Sequence, residues 1–401
     1  MKILCVIQRY YPVIGGAENH VKQFMDYLSK NHDVTVFTTA ANDLKSFWNK
    51  DAEKIYQYDS DNYKVKRFVL LTPGEINWDN YARDFPLALS QPGPFSAKLW
   101  EELIINKIDY DLIFASSFPF DHILPAYAAS KKWKIPIIIM PLIHSENPEV
   151  FLTATRLSML YYADGIVVNT NYEKKFLGKN GIDEGKISVI SPPISIKTDV
   201  QLNPEKFQKK IGLEPDEKVV LYVGAKGQTK GIFNLIDAMS LVWKKNPKVR
   251  LVVAGPGSKE FDQYCDKLSK KLKEKILDLG LISEEEKQNA FRVCNVLALP
   301  SKSESFGLVY LEAWHHAKPV IGCGIGAVSD VIDDGINGLL VEFGNTPQLA
   351  EKISYLLQNP TIAKKLGEEG KKKLEKYSPE KSLKEFEEKC VKVIQEYANS
   401  H

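Results

Sequence analysis

Apolar residues come in short, mostly continuous runs along this chain, and the runs alternate with stretches of helical, amphipathic spacing. Residues 3–7, 34–37, 65–69, 112–114, 135–139 and 166–168 form a first series. Residues 219–223, 251–253, 296–299, 320–321 and 339–341 form a second. Val/Ile/Leu runs without polar alternation predict strands covered on both faces, and helices between them imply parallel crossovers. Two such series predict an α/β protein with two doubly wound domains. The break falls in ISPPIS, residues 190–195, where paired prolines stiffen an extended link. The domains predicted are 1–192 and 193–376, followed by an amphipathic helix rich in Lys and Glu within 377–401.

A chain of 401 residues exceeds one ordinary core and suits two domains. Its 53 basic residues nearly balance 51 acidic ones, which gives no footprint for nucleic acid. No apolar run reaches the ~18 residues of a spanning helix. The first run, 3–7, is closed at once by Gln8 and Arg9, so it reads as a buried strand and not as a signal peptide. Cys5, Cys265, Cys294, Cys323 and Cys390 are scattered, without close Cys/His pairing. That argues against a zinc site or a disulfide framework and fits a reducing cytoplasm. Residues 71–100 break the α/β pattern with a Pro/Gly/aromatic stretch, which reads equally as a functional excursion or a packed one.

In doubly wound sheets, ligands sit at the carboxyl ends of the strands. Each domain opens with a strand and then a glycine-containing loop. In the first, residues 3–7 lead to Gly15-Gly16-Ala17-Glu18, where paired glycines let backbone approach an anion. In the second, residues 219–223 lead to GAKGQTKG, where Lys226 and Lys230 offer compact positive charge for a diphosphate. This loop is no Walker A motif, because no Gly-Lys-Ser/Thr follows at the required offset. PSKSESFGLVYLEA, residues 300–313, follows the run 296–299 and places Glu304 and Glu312 eight residues apart around a Ser-Phe-Gly turn. A helix opening after such a turn presents unpaired N–H groups to an anion. Carboxylates beside it suit a ligand that also carries hydroxyls. Phosphate plus hydroxyls describes a nucleotide sugar. A helix with an acidic first turn and one buried Glu is the plainer alternative. His144, in MPLIHSENP, follows the run 135–139 and reads as structural unless it points into a ligand cleft.

With these features in order, the chain resembles the family 4 retaining glycosyltransferases of the GT-B fold. The likeness runs through Gly15–Glu18, the His144 segment, DGIVVNT at 164–170, YVGAKGQTKG at 222–231 and VVAGPG at 252–257. It continues through the 300–313 segment, KPVIG at 318–322 and DGINGLLV at 334–341. The resemblance implies two Rossmann-like domains facing a cleft, with the last helix crossing back to the first. It implies that Glu312 accepts the ribose hydroxyls, and that Glu304 contacts donor-sugar hydroxyls near the reacting centre. Lys230 would bind the diphosphate, and His144 would lie near the donor sugar. The N–H groups of Phe306, Gly307, Leu308 and Val309, after Ser305, would face diphosphate and sugar. Gly257 joins the donor site. Gly15 and Gly16 would approach the same phosphates, or the acceptor.

The chain departs from the family pattern at several points. Ala225 stands where the family has Arg, with Lys226 one residue on to supply charge. The family's Gly-Gly before the last motif is Gly326-Ala327, its following Glu is Asp330, and the linker carries Ser191-Pro192-Pro193. The activity expected is transfer of a hexose from a nucleoside-diphosphate sugar to a hydroxyl acceptor (glycan, lipid-linked or small molecule) with retention. No bound cofactor is expected, nor a metal, since no Asp-x-Asp follows a strand in the expected place. A sugar-nucleotide epimerase or phosphorylase on the same fold, and a non-catalytic nucleotide- or glycan-binding module, are the alternatives. Location at the inner face of a membrane would follow if Trp78, Phe85, Phe95 and Trp100, with Lys22, Lys45 and Lys98, met a lipid-linked acceptor; plain packing is the alternative.

Overall fold

The computed structural model describes residues 1–13, 15–41, 62–70, 95–194 and 202–400. It divides into two compact units, Met1–Pro193 with Pro379–His401, and Ile194–Ser378.

In the first unit, strands β1 (Lys2–Ile7), β2 (Asp33–Thr39), β3 (Lys64–Phe68), β4 (Leu112–Ser116), β5 (Ile137–Met140), β6 (Gly165–Val168) and β7 (Ile187–Val189) form one parallel sheet. Its order is β3-β2-β1-β4-β5-β6-β7. The central strands are buried on both faces, as their apolar runs predict. In β1, Ile3, Cys5 and Ile7 pack into one apolar cluster while Leu4 and Val6 pack into the other, the two-residue alternation of a pleated strand. β5 begins later than the run 135–139 because Pro136 has no N–H; its carbonyl still accepts from Ile113 N at 3.0 Å.

The helix Pro379–Ser400 packs on the helix Gly16–Leu28. Phe386 stacks on Phe24 with centroids 4.0 Å apart and meets Phe114 edge-on at 4.9 Å. Glu387 takes His32 Nε2 at 2.7 Å and Tyr27 OH at 3.2 Å. Gly165 makes room for this helix, since a Cβ there would stand 2.8 Å from Val393.

In the second unit, strands β8 (Lys218–Val223), β9 (Val249–Ala254), β10 (Ile276–Asp278), β11 (Val296–Leu299), β12 (Val320–Cys323) and β13 (Leu339–Val341) form a parallel sheet of order β10-β9-β8-β11-β12-β13. Both sheets reverse direction of growth at the first strand, β1 against β4 and β8 against β11. Loops leaving two such strands run to opposite faces and open a crevice at their carboxyl ends.

Of the aromatic surface suggested by the sequence, Lys45, Trp78 and Phe85 lie outside the described residues. Phe95 is buried, and the Trp100 indole donates to Asp121 Oδ2 at 3.3 Å. Both are packed. Among the described residues, no helix is long and apolar enough to cross a membrane.

Candidate functional site

In the second unit, the reversal point carries the residues singled out by the sequence. The loop after β8 ends in a short 3-10 turn, Gln228–Lys230, and enters the helix Ile232–Lys245 through Gly231. The loop after β11 enters the helix Leu308–His315 through Gly307. Both glycines are left-handed, with φ of 73° and 84°. At Gly231 a Cβ would stand 2.0 Å from the Pro300 carbonyl oxygen, so only glycine lets the loops close on each other. Lys302 N then donates to Thr229 O at 2.8 Å and locks them together.

This closure brings Lys230 to Glu304. Lys230 Nζ stands 2.8 Å from Glu304 Oε1 and donates to Ser303 O at 3.1 Å. Ser301 Oγ donates to the same Glu304 oxygen at 3.0 Å. Among the described residues these contacts all fall on Oε1. Glu304 is 12% exposed and Lys230 29%, so the pair is reachable without being freely solvated.

Below the carboxylate, the helix Leu308–His315 starts with first-turn N–H groups that have no intrahelical carbonyl. Phe306 and Tyr310 anchor this end. Phe306 is buried edge-on to Tyr377 at 5.5 Å, and Tyr310 OH donates to Leu299 O at 2.7 Å. Burial and the nearby Glu304 charge keep the Tyr310 phenol well above its usual range, so it stays a neutral donor. Ser305, Leu308 and Val309 are half-buried beside these anchors.

Glu312 lies farther along the same helix. Its Oε1 accepts from Lys287 Nζ at 2.6 Å, and Lys287 also meets Glu284 at 2.9 Å. Burial raises the Glu312 pKa, opposed by Lys287. Desolvation pulls Lys287 down, but Glu312 and Glu284 outweigh it and leave the ammonium above its ordinary value.

Lys226 does not join this group. Its side chain is 2% exposed, paired with Asp278 at the end of β10, and its Nζ sits 5.2 Å from the Phe261 ring centroid. Lys226, expected to supply the charge missing at Ala225, is buried here and engaged by Asp278. Ala225 is exposed, and its carbonyl accepts from Tyr222 OH at 2.6 Å. Gly257 lies in the loop after β9, which is laced to the Lys226 loop by Lys226 N to Pro256 O at 3.0 Å and Ser258 Oγ to Lys226 O at 2.7 Å. The space around Gly257 is open, with nothing within 4 Å of a Cβ.

Gly15, Gly16 and His144 belong to the first unit. Gly15 caps the helix Gly16–Leu28, and a Cβ there would stand 2.0 Å from Glu18 Oε2. Glu18 is 2% exposed and pairs with Arg9 at 2.7 Å; Gly16 faces open space. His144 follows β5 with its ring 5.2 Å from Phe151. Its segment is braced by the buried Glu173, which takes N–H groups of Asn169 at 2.8 Å and Thr170 at 3.2 Å, and one from Ile143.

Sequence reasoning missed Ser301, Lys287 and Asp278. A lysine inside SEEEKQNA reads as a solvated helix face, and no local signal reveals that it reaches a carboxylate 25 positions on. Among the described residues, no group of three or more His, Cys, Asp or Glu side chains converges as a metal site would.

Comparison with known proteins places the fold. The family described as Glycosyltransferase Family 4 matches residues 14–198, and Glycosyl transferases group 1 matches residues 203–373. An uncharacterized glycosyltransferase of Methanocaldococcus jannaschii is 30% identical over 240 residues, 58% of this chain and 67% of the relative. A second from that organism is 25% identical over 402 residues, 96% of each. The crystal structure of Anabaena HepE in complex with UDP and glucose matches with a TM-score of 0.73 at 18% identity, covering 98% of this chain and 100% of that one. The two parallel-sheet units are those of the GT-B fold, and the chain belongs to the family 4, group 1 glycosyltransferases.

Proposed function

We propose that the chain transfers a hexose from a nucleoside-diphosphate sugar to a hydroxyl acceptor with retention of anomeric configuration. The observation that carries this reading is the Lys230–Glu304 pair at the strand reversal, a cation and a hydroxyl acceptor 2.8 Å apart beside a helix N-terminus. HepE, which shares the fold, holds UDP and glucose. The diphosphate would lie against Lys230 and the N–H groups of residues 306–309. The sugar hydroxyls would reach Glu304 Oε2, and the ribose hydroxyls Glu312.

In the reaction, the bond from the anomeric carbon to the diphosphate oxygen breaks, and the acceptor oxygen bonds the same carbon from the same face. The acceptor proton passes to the departing phosphate oxygen. Lys230 and the helix N-terminus stabilise the charge that grows on the leaving group. Gly15 and Gly16 are assigned to the donor phosphates or the acceptor, and His144 to the donor sugar. The donor is consumed as a substrate, and no metal takes part in this scheme.

The test is a thermal-shift panel of UDP, GDP, ADP and their sugar conjugates on wild type and Glu312→Ala. A ligand at 100 times its dissociation constant should add about 2.7 kcal/mol. Protection by one nucleotide class, weakened in the variant, supports the donor site; protection by none removes it. Product formation that requires an acceptor separates transfer from epimerisation.

A further inference from the structure

We propose that Lys287 is a positioning residue of the donor site. Its ammonium favours the charged form of Glu312 against burial and fixes one carboxylate oxygen, so that the other is presented to the ribose hydroxyls of the nucleotide. The inference rests on the donor-site reading above and adds to it how the ribose acceptor is kept ready.

The geometry is specific. Lys287 Nζ lies 2.6 Å from Glu312 Oε1, a charge-assisted contact between two helices, Glu284–Val293 and Leu308–His315. The two side chains are 22% and 20% exposed, so solvent screens the pair only in part. Glu284, one turn before Lys287, holds the same ammonium at 2.9 Å from the solvent side. The lysine is thus fixed between two carboxylates and is not free to swing.

Glu312 needs such a partner. A half-buried carboxylate drifts toward its neutral form, and a neutral carboxyl is a poorer acceptor for a diol. The charged groups that face it are Lys287 and Glu284. On its own element, His315 and His316 follow. His316 Nε2 meets Gln288 Oε1 at 2.6 Å, and burial pushes its pKa down to about 4, so it stays neutral at working pH. Arg292 and Lys318 lie beside His316. Lys287 is therefore the cation in direct contact with Glu312 among the described residues. The contact occupies Oε1 and orients Oε2.

The experiment measures UDP and GDP dissociation constants by calorimetry from pH 5.5 to 8.5. It compares wild type, Lys287→Met, Lys287→Gln, Lys287→Arg and Glu312→Gln. Titration of the diphosphate is common to all and cancels in ratios between variants. We expect a Lys287→Met to wild-type ratio that is small at pH 8 and grows to about tenfold at pH 6, as the unsupported carboxyl protonates. Lys287→Gln should follow it, and Lys287→Arg should restore the wild-type profile. A purely structural pair would weaken binding equally at all pH values or not at all, and either result overturns the proposal. Failure of both neutral variants to fold would overturn it too. If Glu312→Gln binds like wild type, or wild type binds neither nucleotide, the donor-site reading itself falls. If Glu312→Gln weakens binding while Lys287→Met matches wild type throughout, only the role of Lys287 falls.

Discussion

Lys230 and Glu304 come from loops after two different strands, β8 and β11, and meet with Nζ 2.8 Å from Oε1. Each charge is held by the other, and Ser301 fixes the carboxylate from a second side at 3.0 Å. On the proposed donor reading, a diphosphate drawn to Lys230 would arrive beside a carboxylate already held in place. Removing either partner misplaces the other. Lys230→Ala and Glu304→Ala should each lower kcat/KM for transfer by at least about tenfold, over 1.4 kcal/mol. Their combined loss should be less than the sum, because the two act as one unit. Near-normal turnover in either single variant would remove its assigned role.

Gly231 makes that meeting sterically feasible. Its φ is 73°, and an added Cβ would stand 2.0 Å from a backbone oxygen, which cannot rotate away. Gly231→Ala should destabilise the second unit by about 2 kcal/mol or more, since strain and clash combine. Urea unfolding would show it as a lower midpoint at unchanged slope. Gly16→Ala, with nothing within 4 Å, should leave the midpoint of the first unit nearly unchanged. Equal effects at the two positions would contradict the steric account.

The central strands of both sheets were legible because burial on both faces writes itself as an apolar run. Residues 296–299 coincide with β11, inside its sheet; 339–341 coincide with β13, an edge strand that still buries two of its three residues. The two strands that sequence reasoning missed, Ile187–Val189 and Ile276–Asp278, are edge strands, and each is only partly buried. An edge strand has one neighbour and can do with fewer apolar residues, and these two leave no run to read, whereas the edge strands β3 and β13 keep theirs. The glycine loops and the Glu304/Glu312 spacing were legible as chemistry. The inward turn of Lys226 was not, because a lysine beside glycines looks the same whether it faces a ligand or an aspartate at the end of a neighbouring strand. The partner that decides it, Asp278, stands 52 positions away.

That inward turn separates Lys226 from Lys230 experimentally. Lys226 is 2% exposed and Asp278 39%, so the pair is buried at one end and wet at the other. Asp278→Asn should destabilise by about 1–3 kcal/mol, less than for a fully buried pair because solvent reaches the carboxylate. Lys226→Met should keep the contact with Phe261 and leave UDP affinity within about twofold, whereas Lys230→Met should lose it by tenfold or more. Parallel loss of nucleotide affinity in both lysine variants would return Lys226 to the donor site.

Four buried groups of the first unit set opposing pH dependences. Burial pushes Glu173 up from 4.5 to about 7, against its backbone hydrogen bonds, and pushes Asp121 up from 3.8 to about 7. A raised carboxyl stabilises the fold at low pH, and that contribution is lost as pH climbs toward 7. Burial pushes His20 and His122 down from 6.5 to about 3. A lowered imidazole stabilises above 6.5, and that contribution is lost as pH falls. Between about pH 4.5 and 6.5 the two pairs oppose each other, each group at up to about 1.4 kcal/mol per pH unit. Wild-type stability should therefore vary little in this window. Glu173→Gln removes one falling contribution, so its stability relative to wild type should rise with pH from about 4.5 to 7. His122→Gln should tip the balance the other way, its relative stability falling as pH rises to 6.5. Urea midpoints at half-unit pH steps measure both differences. Relative stabilities that do not change with pH would mean that these groups titrate in the folded protein as they do in the unfolded chain.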